Sequence, residues 1–156
     1  MPKYGEQLSA FATTTAQKTA LRLIAVSNRR CEIVEAIMTG GGSVTPADIG
    51  HDANLVYIGT PAIDGVATNI TPVPFVKSSA AATGSVASNF TVEPTTYDTV
   101  FPVFFGFNQR GGQRFSVPQG EGIKVDSGTA AGTRIGFRVI SSAVGTVNAS
   151  MNHWED

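Results

Sequence analysis

Two imidazoles, His51 and His153, and one thiol, Cys31, are the side chains with the readiest nucleophilic or transition-metal chemistry in this chain. Acid–base catalysis and metal binding both need such groups to converge, and neither histidine has a second histidine within ligand spacing. A histidine-rich metal centre of the cupin type is therefore not expected. Asp48, His51 and Asp52 would share one face of a helical turn, which leaves either a weak surface cation site or solvated polar groups at a helix end. Gly40-Gly41-Gly42 runs into Ser43-Val44 rather than the Gly-Lys-Ser/Thr of a phosphate loop, and reads as a loop or hairpin tip. Neither Ser43 nor Ser85 lies in a Gly-x-Ser-x-Gly elbow. Cys31 opens an apolar run, where a thiol acts as a small hydrophobe with a raised pKa. No catalytic residue, metal ligand or cofactor is expected, and the chain does not read as an enzyme.

The remaining chemistry is surface chemistry. Arg29-Arg30 and the Arg110 to Arg114 stretch are basic patches, either solvated turn charges or a surface for an acidic partner, since guanidinium pairs bidentately with carboxylate. Eleven Lys and Arg against twelve Asp and Glu leave a net charge of −1, which argues against nucleic acid as a partner. Charged residues are 15%, below the roughly 25% of ordinary soluble domains. The exterior is hydroxyl and glycine instead, which suits a molecule covered by copies of itself or by a larger assembly. A hydrophobic content of 42% excludes a disordered chain. No run approaches the roughly 20 apolar residues that cross a bilayer, so no membrane is expected. The N-terminal stretch has no apolar core of a signal peptide, so synthesis in a cytosol is expected.

The elements that must position these groups read as β throughout. Residues 1–20 are polar and Thr/Ala-rich with Tyr4 and Phe11 isolated among them, and read as an extended arm ahead of a single domain over 21–156. In the domain, Arg134 to Ile140 alternates Ile135, Phe137 and Val139 with polar or small residues, the pattern of a half-buried strand. Gly112 to Val117 and Gly122 to Asp126 alternate similarly across a Pro118-Gln119-Gly120 turn, which predicts an antiparallel meander with the strand that follows. Cys31 to Met38 and Val100 to Phe107 are apolar at most positions and predict strands buried on both faces, the second with an edge or a bulge at Pro102, which lacks an amide donor. Further strands are expected over Leu55 to Ile58, near Ser85 to Thr91, and over Val144 to Trp154, with one helical turn at Thr45-Pro46-Ala47-Asp48. About eight short strands with regular turns predict an all-β, single-domain jelly-roll β-sandwich. Phe101, Phe104, Phe105 and Phe107 supply either its core or a subunit interface, and Trp154 must dock on its own sandwich or on a neighbour.

Several segments together resemble a known family. Tyr4-Gly5-Glu6, the Thr15 to Leu21 stretch TAQKTAL, the Gly59-Thr60-Pro61 turn, and RFSVPQGEGIKV (Arg114 to Val125) leading to GTRIGFRVI are similar to small jelly-roll head decoration, or cement, proteins of tailed bacteriophages. The resemblance implies a non-enzymatic homotrimer on the outer capsid surface of the virion, made in the host bacterial cytoplasm, whose arms contact the major capsid protein. On that expectation Lys3, Tyr4 and Phe11 contact the capsid, and Phe101, Phe104, Phe105 and Trp154 form the trimer interface. A receptor- or carbohydrate-binding head of a phage fibre is the other reading.

Overall fold

A computed structural model describes residues 1–26, 28–41, 48–59, 66–127 and 133–156. Among the described residues the regular structure is all β, in twelve strands. These are β1 Lys3–Thr13, β2 Lys18–Ile24, β3 Cys31–Gly40, β4 Gly50–Tyr57, β5 Val66–Ile70, β6 Val73–Pro74, β7 Ser85–Val92, β8 Val103–Asn108, β9 Gly112–Ser116, β10 Ile123–Val125, β11 Arg134–Ser141 and β12 Gly145–Glu155.

They form two antiparallel sheets. One has the order β10-β3-β12-β1-β6, with β9 also on β3, and the other β5-β7-β2-β11-β4-β8. Successive strands β1 to β4 alternate between sheets; on return β12 enters between β1 and β3, and β11 between β2 and β4. With β8 beside β4 and β9/β10 serving as one strand beside β3, this is the eight-strand jelly-roll topology. The connection between β4 and β8 adds the rest: β7 and β5 extend one sheet beyond β2, and β6 extends the other beyond β1.

The core follows from alternation. Leu21 and Leu23 of β2, Ala53 and Leu55 of β4, and Ile135, Phe137 and Val139 of β11 are buried against Ile33, Ala36 and Met38 of β3 and Val147, Ala149 and Met151 of β12. The outward face of the β2/β11 sheet is covered as well. There Arg22 lies under the Phe90 ring at 5.2 Å and Arg138 under Tyr97 at 3.5 Å, so the inserted segment lids its own sheet with aromatic–guanidinium contacts.

Several expectations are corrected. The arm is a strand: β1 pairs with β12 from Lys3↔Trp154 to Thr13↔Gly145, with a bulge between Leu8 and Phe11, and buries Tyr4 and Phe11. Its Thr and Ala residues carry no strong strand signal, and the long ladder with β12 overrides the weak propensity. The meander is absent, because β9 and β10 both pair with β3 while β11 lies in the other sheet. The register of β3 shifts at Val34, so Ala36 and Met38 point inward and so do Ile33 and Cys31. The Phe-rich strand is not buried on both faces: β8 is an edge strand whose residues alternate between half-buried and exposed. Asp48 is not helical, and His51 and Asp52 belong to β4; Thr45, Pro46 and Ala47 lie outside the described residues.

Truncating a core ring that both sheets depend on should be costly. Phe137 has no exposure and meets Phe105 edge-on at 6.1 Å, so Phe137→Ala is expected to lose about 3–5 kcal/mol in urea unfolding. Because β1 is a ladder strand, deleting residues 2–13 is expected to abolish the cooperative transition rather than yield a folded, armless domain.

Candidate functional site

The anticipated site residues separate into buried and exposed sets. Tyr4 is 1% exposed, stacks on His153 with centroids 5.7 Å apart, and donates its hydroxyl to the Ala80 carbonyl at 2.9 Å. Phe11 belongs to the core. Neither is available to a partner, because each fills its own sandwich. Lys3 is half-exposed, with its ammonium 4.6 Å from the centre of the Phe75 ring. Phe105 turns inward onto Phe137, and Phe107 inward onto His51, with centroids 5.0 Å apart. Trp154 is half-buried in the β1/β12 sheet, whereas β8 edges the other, so it does not join the phenylalanines.

What remains outward is a compact apolar edge. Phe101 is 40% exposed and Phe104 60%, their rings stack at 6.5 Å, and the neighbouring Val100 is 76% exposed. A second exposed apolar group stands at the opposite sheet's edge, where Val73 opens β1's short partner β6 and Phe75 and Val76 follow it. Phe75 lies against Gly5, where a Cβ would approach its ring to 3.0 Å, so the missing side chain lets the ring approach the strand.

Between this edge and β3, the outer face of the β1/β12 sheet is open and polar. Gly5, Gln7, Val73, Phe75 and Asn152 line a groove of about 480 Å³. Gln7 also lines an adjoining one of about 560 Å³ with Thr39, Asn148 and Ser150. Glu35 anchors the face, paired with Arg114 at 2.5 Å and accepting from the Asn152 amide.

Two polar clusters lie deeper. Gln109 donates its amide to the carbonyls of Gly41 (2.6 Å) and Thr146 (2.8 Å), so its Oε1 accepts from His51 Nε2. His51 Nδ1 then accepts from Ser141 Oγ at 2.6 Å. This is a serine–histidine pair without a nucleophile's setting: Ser141 is buried, and the third partner is a neutral amide that cannot stabilise an imidazolium as a carboxylate does. Its effect is to tie three chain segments together at one end of the sandwich.

The other cluster was invisible to local spacing. The β1, β12 and β3 registers bring Glu6, His153, Glu155 and Cys31 together inside the sandwich. His153 Nδ1 is 3.3 Å from Glu6 Oε2, and its Nε2 is 3.3 Å from Glu155 Oε1. Glu155 also accepts from the Thr83 amide and hydroxyl, both at 2.8 Å, and from the Gly84 amide at 2.7 Å. Burial disfavours the imidazolium, but Glu155 and Glu6 outweigh it and raise the His153 pKa to about 9. Burial likewise opposes ionisation of Glu155, yet His153 and the Thr83 and Gly84 donors hold its pKa down to about 2. Glu6 goes the other way, because burial exceeds the help it receives from His153. Cys31 is pushed up to about 12, by burial and then by the negative charge of Glu155 and Glu6. A raised thiol pKa is what the sequence predicted for a cysteine in an apolar run. No protein-family model and no curated protein matches the chain.

The basic residues give a separate, testable ion pair. Glu32 is nearly buried where β9 gives way to β10; the Pro118–Glu121 loop folds over it, and the Gly120 and Gly122 amides donate to its Oε1 at 2.6 and 2.7 Å. Gly120 takes a φ of +96°, a left-handed conformation that glycine adopts without strain. Lys124 completes the shell at 2.9 Å. Burial raises the Glu32 pKa, but Lys124 and the two amides together bring it below its ordinary 4.5. A depressed carboxylate stabilises the fold above pH 4.5 and loses that contribution as pH falls through its folded pKa. Glu32→Gln is therefore expected to cost about 1–2 kcal/mol at pH 7. Thermal melts of both proteins should converge as the buffer is acidified below pH 4.5, and a constant gap would contradict the assignment.

Proposed function

We propose that the protein is a non-enzymatic structural component of a virion, a homotrimer that binds the outer surface of an assembled phage capsid and stabilises it. The observation that carries this reading is the exposed Val100, Phe101 and Phe104 edge on an otherwise complete jelly roll. Stacked aromatics at a sheet edge expose apolar surface that a second copy of the chain would remove from water. The family resemblance of Arg114 to Val125 supports the same reading. In it, the Val73, Phe75 and Val76 surface beside Lys3 meets the major capsid protein, in place of an arm.

Binding to the shell but not to its free subunits stabilises it by RT ln(1 + [L]/Kd) per site, about 4 kcal/mol at a thousandfold excess over Kd. Three linked copies engage neighbouring sites at high effective concentration, so weak single contacts suffice. The groove that ends on Phe75, apolar at that end, and the more polar one beside it favour one alternative, a glycan-binding fibre head, in which hydroxyls meet the Gln7, Asn148 and Asn152 amides.

The two apolar surfaces give separable tests. Light scattering is expected to return three times the 16.3 kDa chain mass, and a Phe101→Asp/Phe104→Asp double variant one chain mass with an unchanged melt. Phe75→Ser should remain trimeric yet fail to co-sediment with undecorated heads. A monomeric wild type would overturn the trimer. Glycan-array binding lost in Gln7→Ala, with no binding to heads, would replace the capsid reading by the fibre one.

A further inference from the structure

The Cys31, His153 and Glu155 donor atoms all lie within 4.8 Å of one another, on residues that are each buried. They come from two adjacent strands: Glu155 pairs directly with Cys31 across β12 and β3, and His153 lies two residues earlier on the same inward face. We propose that Cys31 Sγ, His153 Nε2 and Glu155 Oε1 form a buried Zn²⁺ site, with Glu6 orienting the histidine from behind.

Four features of the geometry support it. A tetrahedral zinc ion with bonds of about 2.0–2.3 Å sets its donors roughly 3.3–3.6 Å apart, and His153 Nε2 lies 3.3 Å from Glu155 Oε1. One sulfur, one imidazole nitrogen and one carboxylate oxygen make a mixed donor set that suits zinc rather than magnesium or calcium. Glu6 Oε2 lies 3.3 Å from the opposite ring nitrogen without an aligned hydrogen bond to it, in the position from which a carboxylate orients a metal-ligating histidine. Neither Glu6 oxygen, both buried, has an aligned hydrogen bond of its own.

The fourth side is formed by Gly84. A Cβ there would stand 2.9 Å from Glu155 Oε1 and 3.4 Å from Cys31 Sγ, so glycine leaves that approach to the donors free of side chain. Thr83 binds Glu155 Oε2, while Oε1 accepts the Gly84 amide at 2.7 Å and keeps its second lone pair for a metal. The exchange balances in charge: one dication replaces two protons, from the Cys31 thiol and from His153 Nε2, while Nδ1–H stays directed at Glu6. A buried site of this kind is loaded as the chain folds, and the ion would join β3, β12 and the segment before β7.

The test uses tag-free, reduced protein made with zinc in the medium and purified without chelators. Metal analysis is expected to find one zinc per chain, and refolding of the stripped protein in the presence of Co²⁺ to give a thiolate-to-cobalt charge-transfer band in the near ultraviolet. Cys31→Ser, nearly isosteric, should lose that band while keeping the wild-type circular dichroism. Folded wild type that retains no zinc and gives no cobalt band overturns the proposal, as does a folded Cys31→Ser variant with the wild-type cobalt spectrum. Should Cys31→Ser not fold, the wild-type refolding with cobalt decides alone.

Discussion

One register, that of β12 between β1 and β3, governs the rest of the molecule. It sets Tyr4 against His153 and Glu155 against Cys31, and buries Met151, Ala149 and Val147 in the core. Side chains alternate across a strand, so a one-residue slip would send this whole set to solvent and bring Asn152, Ser150 and Asn148 inside. The penalty is steep because the inward set includes ionisable groups whose partners lie on other strands. Glu155 without Thr83 and Gly84, or His153 without its carboxylates, would be a buried charge with nothing to offset its lost hydration. The polar cluster is costly to bury, and that cost discriminates between registers where an apolar core alone would tolerate error.

The low proportion of charge follows from how the remaining charges are used. Glu32 is wrapped by a loop, Arg22 and Arg138 lie under aromatic rings, and Glu35 is clamped by Arg114 and Asn152. Many of the charges are thus tied to internal partners rather than left to repel neighbouring molecules. The surface that remains is hydroxyl, amide and apolar, with its largest aromatic side chains at the two sheet edges.

Legibility in the sequence tracked the locality of the determinant. β11 was readable because Ile135, Phe137 and Val139 alternate without interruption, and β7 appeared where its strand was expected. The all-β, jelly-roll class followed from the number and spacing of such runs. β1 was not readable, since its strandedness is imposed by β12, more than a hundred residues away. The Phe-rich run misled as to burial, because phenylalanine scores as buried wherever it occurs, whereas Phe104 faces outward while Phe105 faces in; Pro102, which lacks an amide donor, did mark the edge or bulge, and β8 lies at a sheet edge. The histidine argument was incomplete for a related reason. It sought ligands close in sequence, and the group near His153 is assembled across strands; the one local hint was the His153-x-Glu155 spacing, which places both side chains on one face.

The pairing of first strand with last also sets the order in which the molecule can come into being. During synthesis β1 emerges more than a hundred residues ahead of its long ladder partner β12, which is not complete until Glu155 has been added. Until then the nascent chain carries an open strand edge and half of a buried cluster, with contacts of very high sequence separation still to form. Closure of the fold thus waits for β12, and until then β1 must be kept from the edges of other copies.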